Sequence, residues 1–213
     1  MARPGAAGKR CLPVSRPARE EITAAVFAGG AGRRIGGDKP LRHLGGRPLI
    51  AHVLAALAPQ AARVLVVARG EEEAARLVAH ATPFLAHARD VLPAADRAGL
   101  EGPVAALLGA ADRAATPFLL TAPVDTPFLP QDLASRLSAG LGRGDAAMAA
   151  DGRIHPTILL ARPAAVRVLS PARSLSATLA PLAPVSVSFA AEELANVNTA
   201  EDLAAAQARL AAR

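Results

Sequence analysis

Residues 22–39 read ITAAVFAGGAGRRIGGDK, an apolar run followed at once by a glycine-rich segment. Residues 22–28 have the continuous apolar character of a strand that is buried on both faces, as in a parallel sheet. Glycines allow backbone N–H groups to approach phosphate oxygens closely. The stretch therefore predicts a first strand that leads into a phosphate-binding loop.

The glycine-rich segment does not follow either familiar phosphate-loop pattern. A P-loop needs Gly-Lys followed by Ser or Thr, whereas Asp38 precedes Lys39 here. A dinucleotide fingerprint that begins at Gly30 needs a glycine where Ile35 stands. Arg34 and Lys39 nevertheless add a fork-shaped and a point-like cation, which suit the neutralisation of charge as pyrophosphate departs. A plain glycine-rich turn is the alternative explanation of the same residues.

The rest of the chain alternates between short apolar runs and segments with helical spacing. Alternating strands and helices predict an α/β fold with a mainly parallel sheet and helices on both faces. The pattern predicts further strands over residues 64–68, 117–121, 146–150, 158–160 and 185–189, and helices over residues 48–57, 71–80, 104–114, 132–139 and 200–211.

The positive charge of the chain is concentrated at its start. The formal net charge is +6, and residues 1–19 hold five basic side chains and no acidic one. We therefore predict a basic, disordered tail over residues 1–19 and one domain over residues 20–213. The chain has no Trp or Tyr and only five Phe, so it lacks the stacking surface of a single-strand binder and we expect no nucleic-acid partner.

Hydropathy and cysteine content indicate the compartment in which the protein works. Apolar runs end well before the roughly 18 residues of a membrane-spanning helix, so we expect no membrane association. Cys11 is the single cysteine, which excludes an intrachain disulfide and a thiolate metal cluster. This composition fits a cytoplasmic location, because disulfides are rare in reducing compartments.

Polar residues that could bind a metal ion or take part in catalysis follow the later predicted strands. Asp125 comes after the strand predicted over residues 117–121, at the sheet edge where α/β proteins bind ligands. Mg²⁺ prefers carboxylate oxygen, with phosphate completing its shell, although an isolated Asp-Thr-Pro is also a common turn. A lone His155 beside proline is commonly structural, and Thr199 with Asp202 three residues later suits the start of a helix.

Residues 27–50 resemble the signature of the molybdenum cofactor guanylyltransferases. That family reads Leu-Ala-Gly-Gly, a short stretch to Arg-Met-Gly, then Asp-Lys and Gly-x-Pro-Leu; here Ile35 replaces the Met. Residues 96–106 resemble the family's Asp segment and Gly-Pro-Leu-Ala-Gly, with Ala106 in place of the second glycine. Taken alone, Asp96 is equally well explained as a loop acid.

Three later segments continue the resemblance in the family's order. Residues 125–128 are similar to Asp-Thr-Pro-aromatic, and residues 151–157 to Asp-Gly…His-Pro-Thr. Residues 196–203 are similar to Asn-x-Asn-Thr-Pro-Glu-Asp-Leu. The resemblance implies a single-domain, Rossmann-like nucleotidyltransferase fold. It also implies Mg²⁺-dependent transfer of GMP from GTP to molybdenum-bound molybdopterin, with molybdoenzyme apoproteins or other cofactor-synthesis proteins as further partners.

The same resemblance implies roles for individual residues. The catalytic residues are Arg34, Lys39 and Asp125, of which Asp125 is the Mg²⁺ ligand. The residues implied to bind nucleotide are Ala28, Gly29, Gly30, Arg34, Lys39, Asp96 and Gly102, and those implied to bind the acceptor are His155, Arg173, Asn196 and Asn198.

Base recognition is where the chain departs most from the family. Asn-Arg commonly follows the second strand, whereas this chain has Ala68-Arg69-Gly70. An Arg fork can donate to O6 and N7 of guanine together, so we add Arg69 to the nucleotide-binding residues; a solvated surface residue is the alternative. Two alternatives to the implied function remain. One is a related transferase that uses CTP or a sugar-phosphate acceptor, and the other is a non-catalytic nucleotide-binding module. CTP-using relatives usually have Ala-Ala-Gly at the loop, against Ala28-Gly29-Gly30 here, which favours GTP.

Overall fold

The strands expected from the sequence are present in the computed structural model, which describes residues 16–29, 38–86 and 90–212. Residues 1–15 of the tail predicted over residues 1–19 lie outside the described residues. Arg19–Glu21 forms a single 3₁₀ turn before the first strand. The strands are β1 (Ile22–Phe27), β2 (His43–Leu44), β3 (Arg47–Pro48), β4 (Arg63–Ala68), β5 (Val91–Ala95), β6 (Phe118–Pro123), β7 (Ala146–Ala150), β8 (Ile154–Ala161) and β9 (Val185–Ser188).

Helices occupy most of the connections between the strands. No helix among the described residues is long and apolar enough to cross a membrane. The helices are α1 (Leu49–Leu57), α2 (Glu71–Ala81), α3 (Gly102–Arg113), α4 (Leu133–Leu141), α5 (Pro163–Arg167), α6 (Leu175–Leu179) and α7 (Ala200–Ala211).

Seven strands form one mainly parallel sheet, in the order β5-β4-β1-β6-β8-β7-β9. Every neighbouring pair in it is parallel except the two that include β8, which runs against β6 and β7. The remaining strands, β2 and β3, form a small hairpin. The expected mainly parallel α/β fold is confirmed, and β8 begins at the edge where its neighbours end.

The sheet is covered on both faces, as expected. Alternate residues of β1 belong to different apolar clusters, with Ala24 and Val26 in one and Ala25 and Phe27 in the other. Helices α1, α2 and α4 complete the first cluster, and α3, α5 and α6 complete the second. Helix α7 packs instead on the β2–β3 hairpin, where Gly45 N donates to Gln207 Oε1 at 2.8 Å.

Candidate active site

Three polar or glycine positions lie at the carboxyl-terminal edge of the parallel strands. Gly29 follows β1, Asp96 follows β5 and Asp125 follows β6. Backbone bonds hold these strand ends together, because Asp96 N donates to Ala68 O at 2.7 Å and Val124 N donates to Phe27 O at 3.1 Å. This edge is where ligands bind in open α/β sheets.

Lys39 joins two segments that are far apart in the chain. Its Nζ donates to Asp125 Oδ2 and to Asn198 Oδ1, each at 2.7 Å. The Lys39 and Asp125 side chains are only 15% and 20% exposed, so solvent screens this pair weakly. The sequence motifs place Lys39 with the triphosphate and Asp125 with Mg²⁺, and they do not predict this contact.

The segment that carries Asn198 is fixed on both sides. Val197 N donates to Asp125 O at 2.8 Å, which lays this segment against the end of β6. Asp202 Oδ2 accepts from Asn198 N at 2.8 Å and from Thr199 N at 2.9 Å, while Asp202 N donates to Thr199 Oγ1. The predicted helix start at Thr199 is confirmed as a capping box, and the same box holds Asn198.

Two buried oxygens beside this group have no hydrogen-bond partner among the described residues. They are Asp125 Oδ1 and Asn196 Oδ1. Buried polar atoms are normally hydrogen-bonded, so these oxygens indicate a ligand site. The described residues contain no cluster of three or more His, Cys, Asp or Glu, so a divalent ion here would rest on Asp125 with phosphate and water. That arrangement fits Mg²⁺, which is held in nucleotide sites by one or two carboxylates and substrate phosphates.

Asp96 lies in a second part of the same edge and is half-buried there. Burial, followed by the negative charge of Glu73, raises the pKa of Asp96 to about 6, and Arg69 opposes this shift. Asp96 Oδ1 is buried without a hydrogen-bond partner among the described residues. A Cβ at Gly29 would lie 3.4 Å from Asp96 Oδ2, so the glycine leaves open the space beside this carboxylate.

Ala28 and Arg69 lie at strand ends on the same edge as Asp96, and Gly102 begins the helix that follows β5. Ala28 is buried at the end of β1, and Arg69 is 65% exposed with its Nε 3.7 Å from Glu73 Oε2. Gly102 begins α3 with φ +67°, a left-handed conformation that favours glycine. Gly30 and Arg34 lie outside the described residues.

Among the predicted acceptor residues, His155 has a defined partner. Its Nε2 lies 2.7 Å from Asp151 Oδ1, and the two side chains are 8% and 10% exposed. The hydrogen bond from His155 lowers the pKa of Asp151. Arg173 is exposed in the segment before α6, and the bonds around Lys39 do not include it.

Glu73, Asp151 and Asp202 have no site role predicted from the sequence. Glu73 lies four residues after Arg69 and Asp151 four residues before His155, and both pairs make contact. Spacing alone gives a weak signal for such pairs, because Arg69 and His155 lie at strand ends where four-residue neighbours do not regularly meet. Asp202 was recognised only as part of a helix cap.

Comparison with known proteins identifies the family. A family model described as the MobA-like NTP transferase domain matches residues 24–206. The chain belongs to this family. The resemblance drawn from the sequence is therefore confirmed, and the chain is a nucleotidyltransferase.

Its relatives include several proteins named molybdenum cofactor guanylyltransferase. The one from Cereibacter sphaeroides is 41% identical over 199 residues, covering 87% of this chain and 95% of that protein. The one from Acidiphilium cryptum is 37% identical over 205 residues, covering 90% of this chain and 97% of that protein. The match to the Ralstonia nicotianae protein, also 37% identical, spans 64% of this chain and 62% of that protein.

Solved structures share the fold at lower identity. Molybdopterin-guanine dinucleotide biosynthesis protein A from Archaeoglobus fulgidus has a TM-score of 0.71 at 22% identity, over 90% of this chain and all of that chain. The 2-C-methyl-D-erythritol 4-phosphate cytidylyltransferase from Thermus thermophilus has a TM-score of 0.65 at 21% identity, over 89% and 98% of the two chains. The fold is therefore shared by proteins named for different nucleotides.

Proposed function

We propose that the chain transfers GMP from GTP to molybdenum-bound molybdopterin in an Mg²⁺-dependent reaction in the cytoplasm. The observation that carries the proposal is the contact of Lys39 with Asp125 at the strand edge that also holds Asp96. A nucleoside triphosphate needs a cation and a metal-binding carboxylate for its phosphates and a hydrogen-bonding group for its base. Lys39, Asp125 and Asp96 are these three groups. The relatives named guanylyltransferase support the same reaction.

In the proposed reaction, a phosphate oxygen of molybdopterin attacks the α-phosphorus of GTP. The bond from that phosphorus to the oxygen bridging to the β-phosphate breaks, and pyrophosphate leaves with the electron pair. Such phosphoryl chemistry asks the protein for positioning and charge stabilisation. Bound Mg²⁺ would neutralise charge on the phosphate oxygens.

The triphosphate is assigned to the first loop and its cations. Gly29 and Gly30 let the main chain approach its oxygens closely, although Gly29 N itself donates to Val67 O at 3.2 Å. Arg34 and Lys39 bind the oxygens and offset the charge that develops on pyrophosphate. Asp125 Oδ1, which is buried without a hydrogen-bond partner among the described residues, holds the metal. The Lys39 ammonium has three N–H donors, of which Asp125 Oδ2 and Asn198 Oδ1 take two, so the third can serve the phosphates.

The nucleoside is assigned to the space beside Asp96, Ala28, Arg69 and Gly102. The guanine edge has two neighbouring donors, N1–H and the 2-amino group, which a carboxylate accepts well. With its pKa near 6, Asp96 is mostly ionised at pH 7 and available for that role. Arg69 donates to O6 or N7, which are acceptors.

The acceptor is assigned to the edge near β8. His155, held by Asp151, lies at the start of β8, which pairs with β6. Asn196 and Asn198 flank Val197, whose N donates to Asp125 O. Arg173 completes the proposed set as a cation for the pterin phosphate. Molybdoenzyme apoproteins or other cofactor-synthesis proteins are the proposed recipients of the product.

The decisive experiment incubates the protein with molybdenum-loaded molybdopterin, Mg²⁺ and either GTP or CTP, and identifies the dinucleotide by mass spectrometry. We expect the guanine product, and none in EDTA. Asp125→Asn should abolish it, whereas Asp145→Asn, an exposed aspartate paired loosely with Arg162, should not. Preferential use of CTP, transfer to a sugar phosphate instead, or GTP binding without any product would each overturn the proposal, and equal turnover in EDTA would remove Mg²⁺.

A further inference from the structure

Helix α3 passes the turn that carries Asp96 at a distance that only glycine permits. A Cβ at Gly109 would lie 2.4 Å from Ala95 O, 2.9 Å from Arg97 N and 3.1 Å from Asp96 C. All three are backbone atoms, which cannot rotate away as the end of a side chain can. A methyl group at Gly109 therefore has to push the helix and the turn apart.

The same turn is attached to α3 at two further points. Arg97 N donates to Ala105 O at 3.0 Å, in the first turns of the helix. The Arg97 guanidinium binds the Asp112 carboxylate through both oxygens, at 2.8 Å and 2.6 Å. Since Asp96 N also donates to Ala68 O on β4, the main chain at Asp96 lies fixed between the sheet and α3.

We propose that Gly109 is a positioning residue for nucleotide binding, because its missing side chain sets the place of the Asp96 carboxylate. The inference rests on the proposed function, in which Asp96 binds the nucleoside. A Cβ essentially never comes within 3.0 Å of such an atom, so relief of the 2.4 Å contact needs a shift of at least about 0.6 Å, the difference between the two distances. A displacement of that size is enough to misalign a hydrogen bond to the base.

The test compares nucleotide affinity in the wild type and in Gly109→Ala. We expect the Kd and KM for GTP to rise roughly tenfold or more. The kcat should stay within about twofold of the wild type, because the residues that we assign to the metal and the phosphates follow other strands. The preference for GTP over ITP, which lacks the 2-amino group, should shrink. A purely structural role for Gly109 would lower the melting temperature without changing this preference.

Two further variants make the result decisive. Asp112→Ala releases Arg97 without adding bulk and should move GTP affinity in the same direction by less; it carries the test if Gly109→Ala does not fold. Gly140→Ala is the matched control, because its methyl would meet the Val187 side chain at 2.3 Å. Val187 lies on β9, at the opposite edge of the sheet from β5. It should lower the melting temperature and leave GTP affinity unchanged.

Two outcomes separate this inference from the function on which it rests. If Gly109→Ala and Asp112→Ala bind GTP and discriminate against ITP as the wild type does, Gly109 is not a positioning residue. If the wild type itself does not bind GTP, the proposed function is wrong, and the assignment of Gly109 is wrong with it.

Discussion

Lys39 occupies the carboxylate that we assign to Mg²⁺, so its removal should strengthen metal binding in the nucleotide-free protein. Its Nζ lies 2.7 Å from both Asp125 Oδ2 and Asn198 Oδ1. An Mg²⁺ ion at about 2.0–2.1 Å from Asp125 would meet this ammonium as a nearby like charge. Lys39→Met keeps most of the length of the side chain and removes the charge.

The size of the effect follows from the distance between the charges. Unit charges 2.7 Å apart attract by ~6 kcal/mol at an effective dielectric constant of about 20. Dehydration of Lys39 and Asp125 offsets much of this, and measured couplings of close charge pairs begin near about 1.5 kcal/mol. Since about 1.4 kcal/mol is a factor of ten, the divalent-ion affinity of Lys39→Met should rise at least about tenfold.

The assay is a titration with Mn²⁺ in the absence of nucleotide, followed by electron paramagnetic resonance or calorimetry. Arg162→Met, which removes a cation near Asp145 instead, is the control and should bind Mn²⁺ as the wild type does. In the presence of GTP, Lys39→Met should show greatly reduced turnover, because the same ammonium is assigned to the triphosphate.

Two results would refute the reasoning. Unchanged or weaker Mn²⁺ binding by Lys39→Met without nucleotide would mean that the ammonium does not compete with the metal. Binding that survives in the double variant Lys39→Met with Asp125→Asn would place the metal elsewhere.

Three further predictions concern the base, pH and the chain start. Because ionised Asp96 is the proposed acceptor and its pKa is raised to about 6, KM for GTP should rise as pH falls through 6, and Asp96→Asn should remove this step. Arg69→Ala should lower the preference for GTP over CTP and ATP by roughly tenfold if Arg69 reads guanine; an unchanged preference in competition assays makes it a surface residue. Deletion of residues 1–19 should leave turnover nearly unchanged and lower the free energy of unfolding by on the order of 1 kcal/mol, since the described contacts that are lost are the exposed Arg19–Asp90 pair and the bonds of the single 3₁₀ turn at Arg19–Glu21; a fall of many degrees in melting temperature would show otherwise.

The elements that sequence reasoning found are those whose signal is local. Strand β1, which is apolar except for Thr23, is buried at all of its residues, and the predicted strands over 64–68 and 117–121 agree with β4 and β6 to within two residues. Helix α7 has the predicted bounds because its capping box and its apolar spacing lie within the helix itself.

The elements that were missed depend on partners elsewhere in the chain. Strand β5 contains Pro93 and exposes Leu92, and it is a strand because it pairs with β4 at the sheet edge. Strand β8 begins before the predicted 158–160, since Pro156 and His155 break the apolar pattern at its start. Helices α5 and α6 have five residues each, which is too short for helical spacing to show.

The contacts of the site were harder to predict than its members. Lys39 and Asp125 were each selected from their own motifs, but they are separated by 86 residues, and Lys39 and Asn198 by 159. No local pattern specifies that an ammonium will lie between two such oxygens. Gly109 was missed for a related reason, because its role depends on the backbone at the end of β5 and not on the helix that contains it.

A sufficient structural explanation of a motif does not exclude a functional one. Thr199 and Asp202 are fully accounted for as the capping box of α7. The same Asp202 oxygen also accepts from Asn198 N, and the Asn198 side chain contacts Lys39. The box therefore fixes the start of a helix and one oxygen partner of Lys39 together. Local spacing reveals the first role, and only the contact across the fold reveals the second.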